Sequence, residues 1–341
     1  MDEGKIGNMG MACIIVNAIV CKVFFTSVAA AIDKTGTATW YMTLISMLSS
    51  LSVFALMSRL VKAYPGKNIM EIYDEVLGNT TGSILSFTFF LILLLAGSVV
   101  LREFTDATNI YFLNNTPAGF ITGSFIVGVV STCFLGLENI GRVAKLFSYV
   151  LLFLFIAIIL LASQRYHSYR FYPILGYGLE KTFKNGIVRS SAYGEIILLG
   201  IFAKSLNDTR DFWGIGCKSL IISGIVISIA LVSIILSFPY FIAVELTDPL
   251  YVIASLIDYG RFFQRIEAVF IFTWNISTLI GITAIFYGAI VCYTHIFKIK
   301  DKKPIIIALA ITFYIMTMIT PSFSIMFDYV VPNLRKFGWI G

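Results

Sequence analysis

Charge is what this chain has least of. Only 13% of its residues are Asp, Glu, Lys or Arg, while 58% are hydrophobic; an ordinary soluble domain carries about 25% charged residues. So little polarity cannot clothe a water-soluble surface. The chain therefore reads as an integral membrane protein, and its net charge of +6 belongs to loop lysines and arginines rather than to a nucleic-acid surface. A bilayer core takes about 20 apolar residues per crossing, so 341 residues hold many crossings and leave no length for a soluble catalytic domain.

Metal and disulfide chemistry are equally thin. Cys13, Cys21, Cys133, Cys217 and Cys292 stand singly with no C-x-x-C spacing, which excludes a disulfide framework and a zinc site and makes them small buried hydrophobes. The two histidines, His167 and His295, fall in connecting segments and are not read as metal ligands. There is no phosphate-binding glycine loop and no nucleophile, base and acid order, so neither an enzyme nor a cofactor is implied. Met1 to Asn8 is polar with both signs of charge and the next apolar stretch is too long for a signal peptide, so the first helix is expected to stay.

What is there is a series of apolar stretches, at about 9–32, 40–60, 83–113, 118–138, 146–163, 187–204, 217–241, 265–294 and 304–320, each expected to be a helix. The connector 61–82 breaks at Tyr64-Pro65-Gly66, after which Asn68 should cap a short amphipathic helix, Ile69 to Leu77. Its Glu71, Asp74 and Glu75 suit it to lie on the membrane surface and meet a basic partner. Gln164 to Gly186, the longest polar stretch, should be a structured loop whose Pro173 to Gly178 segment folds over the outer mouth. Trp40, Trp213 and Trp274 match interfacial or lipid-facing positions as well as stacking ones.

The basic cluster Lys298, Lys300, Lys302 and Lys303 should face the cytoplasm, and an even number of crossings separates it from the start, which places the N-terminus there too. Arg165, Arg170, Lys181, Lys184, Arg261 and Arg265 would then face outward.

Lys22 is the residue that points to function. It lies in the middle of the run Met9 to Ile32, where an ammonium costs several kcal/mol unless it meets a partner or a wet cavity. Glu195, inside the apolar stretch Ile187 to Lys204, is the clearest counter-charge, which requires both segments to be helices of one bundle. Arg102, Glu103 and Asp106 near the end of the third stretch are explained as well by a solvated helix end as by a site, and Arg265 with Glu267 reads better as an interfacial anchor.

Several motifs occur in a telling order: Lys34-Thr-Gly36 with Trp40; Tyr64-Pro65-Gly66-Lys67 with an acidic helix ending Leu77-Gly78; Leu101-Arg102-Glu103-Phe104; Pro173 to Gly178; Tyr193-Gly194-Glu195-Ile196; and Arg265 to Phe270 with Trp274. Over about residues 5–330 this order resembles the GerAB family, the permease-like B subunits of the spore germinant receptors of endospore-forming bacteria, within the amino acid-polyamine-organocation transporter superfamily.

The resemblance implies a LeuT-like, all-α membrane bundle of ten helices in two inverted five-helix repeats, a single transmembrane domain over 1–341 with repeats at about 9–163 and 187–341. Helices 1 and 6 would be broken around a small-ligand site, which assigns ligand-binding roles to Cys21, Lys22, Tyr193, Gly194 and Glu195. It also implies a small-molecule germinant, an A-type membrane subunit and a C-type lipoprotein as partners, and a place in the spore inner membrane or the cell membrane. Two departures stand out. Ile19 to Phe25 lacks the glycine common at the first break, and Pro321 to Gly341 is too short and polar for a full tenth helix, so that helix is expected to be absent or truncated. The functional expectation is a germinant-sensing subunit, with a proton-coupled amino-acid or amine transporter and a non-binding scaffold as the alternatives.

Overall fold

The computed structural model describes residues 5–24, 27–258 and 266–319. The chain starts as α1 (Asn8–Val20), passes through a 3₁₀ turn at Cys21–Phe24 into α2 (Ser27–Thr35), and returns as α3 (Thr39–Ala63). The surface helix α4 (Ile69–Leu77) leads into α5 (Asn79–Tyr111), which is followed by α6 (Ala118–Phe134) and α7 (Leu137–Leu161). A second interrupted crossing comprises α8 (Leu179–Val188), a 3₁₀ run at Arg189–Ile196 and α9 (Ile197–Ile201). Then come α10 (Phe212–Ser237), the short α11 (Tyr240–Ala243) and α12 (Pro249–Ser255), the long α13 (Ile266–Ile296) and α14 (Lys303–Ile319). Among the described residues the extended pairing amounts to one isolated bridge, Ile6 with Leu206.

Five helical runs, 28–63, 79–111, 137–165, 212–237 and 266–296, are long and apolar enough to cross a membrane, and α1, α6 and α14 are shorter apolar helices. Each apolar stretch marked in the sequence falls on one of these elements or on the second interrupted crossing. The expectation of a missing tenth helix concerns residues that lie outside the described ones. Large apolar side chains such as Leu56, Phe120, Phe153 and Leu160 are exposed around the bundle. Exposed apolar surface of that extent would drive association in water, whereas in a bilayer it is the solvated surface.

The centre of the bundle is α13, which packs on α1, α5, α6 and α7 and is buried along nearly all of its second half. Close approach to the first crossing depends on Gly281, where a Cβ would lie 2.9 Å from Cys21 Sγ and 3.2 Å from Ala18 Cα. The peripheral α7 instead turns Phe153 and Leu160 outward.

Two expectations from the sequence are overturned and a third is narrowed. Gly136, at φ 84, stops α6 and lets α7 begin at Leu137, so the expected stretch 118–138 runs through a turn and α7 starts earlier than the apolar run suggests. His295 sits in the last turn of α13 instead of a loop, bonded through Nε2 to Asp74 Oδ2 at 2.9 Å. Of the positions open to Trp274, the structure selects stacking over lipid or interface: it is 1% exposed, with its ring against Phe104 at 5.4 Å.

The helix α4 forms as its composition dictates. Asn68 Oδ1 accepts from Glu71 N at 2.8 Å and Glu71 Oε2 accepts from Asn68 N at 3.1 Å, a reciprocal capping box. Its carboxylates, however, are engaged within the chain: Glu71 takes Lys204 Nζ at 2.6 Å, Asp74 takes His295, and Glu75 pairs with Lys67. These contacts tie α4 to the ends of the second interrupted crossing and of α13, on the face of the bundle that also carries Ile6 and Leu206.

Candidate functional site

Both interruptions fall near the middle of a crossing. The first has a 13-residue helix before it and a 9-residue helix after it. The second is 8 residues of 3₁₀ helix, and 3₁₀ runs longer than about four residues are uncommon because their hydrogen bonds are poor. Freed carbonyls at membrane depth require replacement partners.

A hydroxyl-bearing face of α3 supplies them. Ser46 Oγ donates to Gly186 O at 2.7 Å and Ser50 Oγ to Ser190 O at 2.9 Å. One turn away, the Tyr193 hydroxyl lies 2.9 Å from Thr43 Oγ1 and donates to Thr43 O at 3.2 Å. Thr43, Ser46 and Ser50 share one helical face by their spacing, a pattern legible in an otherwise apolar run but not singled out by the sequence reading.

Lys22 emerges from the first break and reaches the second. Its ammonium forms an ion pair with Glu195 and donates to the Ala192 carbonyl at 2.6 Å. The Lys22 side chain is 21% exposed and that of Glu195 10%, so the pair sits at the edge of a space and is not sealed in the core. Gly194 is exposed, and a Cβ built there would meet nothing within 4 Å.

The other two residues assigned to the site have different surroundings. Cys21 is fully buried, with its thiol donating to Ala18 O at 3.3 Å and its sulfur against Gly281, so it holds the break to α13. Tyr193 is 1% exposed and its hydroxyl is spent on Thr43, so it holds the break to α3. Arg102 Nε pairs with Asp106 at 3.1 Å, and Glu103 is 7% exposed. Glu267 lies in the first turn of α13, while Arg265 is outside the described residues. Among the described residues no group of acidic, histidine or cysteine side chains could hold a metal ion.

Sequence reasoning also missed Asn17. It is 4% exposed in α1, where its amide donates to Cys13 O at 2.8 Å and Ser148 Oγ at 2.7 Å, and its carbonyl accepts from Ser277 Oγ at 3.1 Å. This knot joins α1, α7 and α13 just below the first break. An asparagine five residues before Lys22 in an apolar run was the available signal.

The model of the family described as spore germination protein matches residues 5–324. The chain belongs to this family. Spore germination protein KB of Bacillus subtilis (strain 168) is 21% identical over 268 residues, covering 77% of this chain and 72% of its own. Spore germination protein YndE of the same organism is 20% identical over 272 residues, covering 78% and 73%. Among solved structures, MhsT in complex with L-phenylalanine superposes with a TM-score of 0.69 at 13% identity, over 97% of this chain and 85% of that one. A substrate-bound, outward-open Na+-coupled sialic acid symporter gives 0.67 at 10% identity, over 99% and 78%. This member of the spore germination protein family is thus a multi-pass membrane protein with the LeuT-like helical fold, a germination-related permease by family.

Proposed function

We propose that the chain is the membrane subunit of a spore germinant receptor in which a small zwitterionic nutrient, an amino acid or close analogue, binds between the two broken crossings and triggers germination. The observation that carries this reading is the ion pair that Lys22 makes with Glu195 across the two breaks, beside the open space at Gly194. A ligand carboxylate would take over Lys22, and a ligand ammonium would take over Glu195 or the unwound carbonyl of Ala192. Both charges then remain compensated in a medium where an unpaired one is costly. Cys21 and Tyr193 contribute by fixing the two breaks, and Gly194 by leaving room.

A ligand shifts a two-state bundle only by the difference in its affinity for the two states. Replacement of one internal ion pair by two ligand contacts creates such a difference. In this reading the face bearing α4 looks to the cytoplasm, and an A-type membrane subunit and a C-type lipoprotein complete the receptor in the spore inner membrane. The structural neighbours favour a second reading, a secondary transporter of an amino acid or amine that uses the same site with a proton exchanged on Lys22 or Glu195.

The test is thermal stabilisation of the purified chain with its co-expressed partner subunits by each standard amino acid in turn. At least one should raise the melting temperature of the wild type and fail to do so with Lys22→Met or Glu195→Gln. A shift retained in both variants would refute the site. Accumulation of the active amino acid inside proteoliposomes containing the chain alone would select the transporter reading.

A further inference from the structure

Asp248 is a buried acid that lies outside the central site. It is 2% exposed, and neither carboxylate oxygen has a hydrogen-bond partner among the described residues. It occupies the N-cap position of α12, where an aspartate ordinarily accepts a hydrogen bond from the first turn of its own helix, yet it makes no such bond. Its carboxyl lies instead near the hydroxyl of Tyr111 on α5, a ring that belongs to an aromatic stack. The Tyr111 ring lies 4.2 Å from that of Tyr251, which also touches Phe112 at 5.8 Å and Phe270 at 6.3 Å. Such walls offer no oxygen cage for a metal ion, and an ionised carboxylate left unpaired among them would carry its full desolvation cost.

We infer that Asp248 is a proton-binding site that holds the α11–α12 segment closed over the first break: protonated and neutral when the segment is packed down, ionised when it lifts and admits water. The mechanical link is direct, because α12 packs on the Cys21–Phe24 turn that carries Lys22, as well as on α10 and α13. The inference holds under either reading of the central site.

The charged and titratable groups around Asp248 support the assignment. Burial pushes its carboxyl up to about 7; the nearby Tyr111 hydroxyl, though not in hydrogen-bond geometry, pulls it down, and the negative charge of Glu103 pushes it further up. Tyr251 is on α12 itself, and Glu267 of α13 acts on Tyr251. Lys22 lies in the turn beneath α12. Arg165 donates to Leu256 O at 3.4 Å at the other end of the segment. α10 carries titratable groups only in its first turns, at Cys217 and Lys218, away from α12.

The sign follows by linkage. The closed state keeps the proton up to about pH 7, whereas a hydrated aspartate releases it near pH 4. Below about pH 4 both states are protonated and closure is fully favoured; between about 4 and 7 the preference falls on the order of tenfold per pH unit; above 7 it is flat.

Two measurements on the purified full chain in lipid nanodiscs test this, neither needing a germinant. In pH-difference infrared spectra the wild type should show a protonated carboxyl band titrating near neutrality. That band should be missing in Asp248→Asn, which keeps the shape of the neutral acid, and should titrate at higher pH in Tyr111→Phe. In the second, a fluorophore on Leu256→Cys, in a Cys217→Ser background, is quenched by iodide across the pH range. Quenching should rise with pH below neutrality and be flat in Asp248→Asn. A band unchanged in Asp248→Asn, or one titrating near pH 4, overturns the proton site; quenching that is flat in the wild type, or that keeps its slope in Asp248→Asn, overturns the link to closure.

Discussion

The two broken crossings are built differently. The first lacks glycine and is held mainly by packing: Cys21 and Ala18 lie against Gly281, with Asn17 just before it hydrogen-bonded to α7 and α13. The second has a 3₁₀ run of eight residues and is held by hydrogen bonds from the hydroxyls of α3 to the backbone carbonyls of Gly186 and Ser190. A packed break fixes where a side chain starts, so the first can present a charged group, Lys22, from a rigid base. A hydrogen-bonded break leaves backbone on view, so the second can offer a carbonyl at Ala192 and open space at Gly194. One side supplies charge and the other supplies room.

The largest effect should come from the contact that joins the two. Lys22→Met leaves Glu195 without its counter-charge and should lower stability in nanodiscs by about 3 to 5 kcal/mol, with the lower end expected because the pair is partly exposed. The double variant Lys22→Met, Glu195→Gln should recover most of that loss. If the double variant melts as low as the single one, the cost lies in packing and not in charge.

Overfilling the packed break comes next. Gly281→Val forces side-chain atoms into Cys21 and the backbone of Ala18 and Asn17, at about 1 to 3 kcal/mol. Hydrogen exchange should speed up around 17–24 and leave 189–196 unchanged. Removing hydroxyls should do the reverse: Ser46→Ala and Ser50→Ala each lose about 1 kcal/mol, with faster exchange in 186–196 only. Equal loosening of both breaks by either change would erase the contrast drawn between them. Smallest in its reach is Asn68→Ala, which removes the cap of α4 for about 1 kcal/mol and should leave exchange at both breaks as it was.

Much of this arrangement was legible in the sequence, because membrane depth makes polar residues conspicuous. Lys22 and Glu195 stand out in apolar runs, and pairing them required only that each need the other. The cap of α4 was legible because an Asn followed three residues later by Glu is a local signal. The roles of the α4 carboxylates were not, since Lys204 and His295 are brought to Glu71 and Asp74 only by the folded bundle. The bracing by Thr43, Ser46 and Ser50 was also overlooked: serine and threonine in an apolar helix usually bond back to their own carbonyls, and nothing local says that a neighbour's broken backbone will need them. The boundary between α6 and α7 was blurred because apolar side chains continue on both sides of Gly136, where only the backbone turns.

In the proposed function the ligand acts by dividing the Lys22 and Glu195 pair. A double-mutant cycle on the germinant dose response reads this directly, using spores that carry wild type, Lys22→Met, Glu195→Gln and the double variant at matched membrane levels. Residues acting as one unit give strongly non-additive effects, so each single change should abolish the response and the double variant should be no worse than either. Two partial losses that simply add, or an unchanged dose response in Lys22→Met, would contradict it.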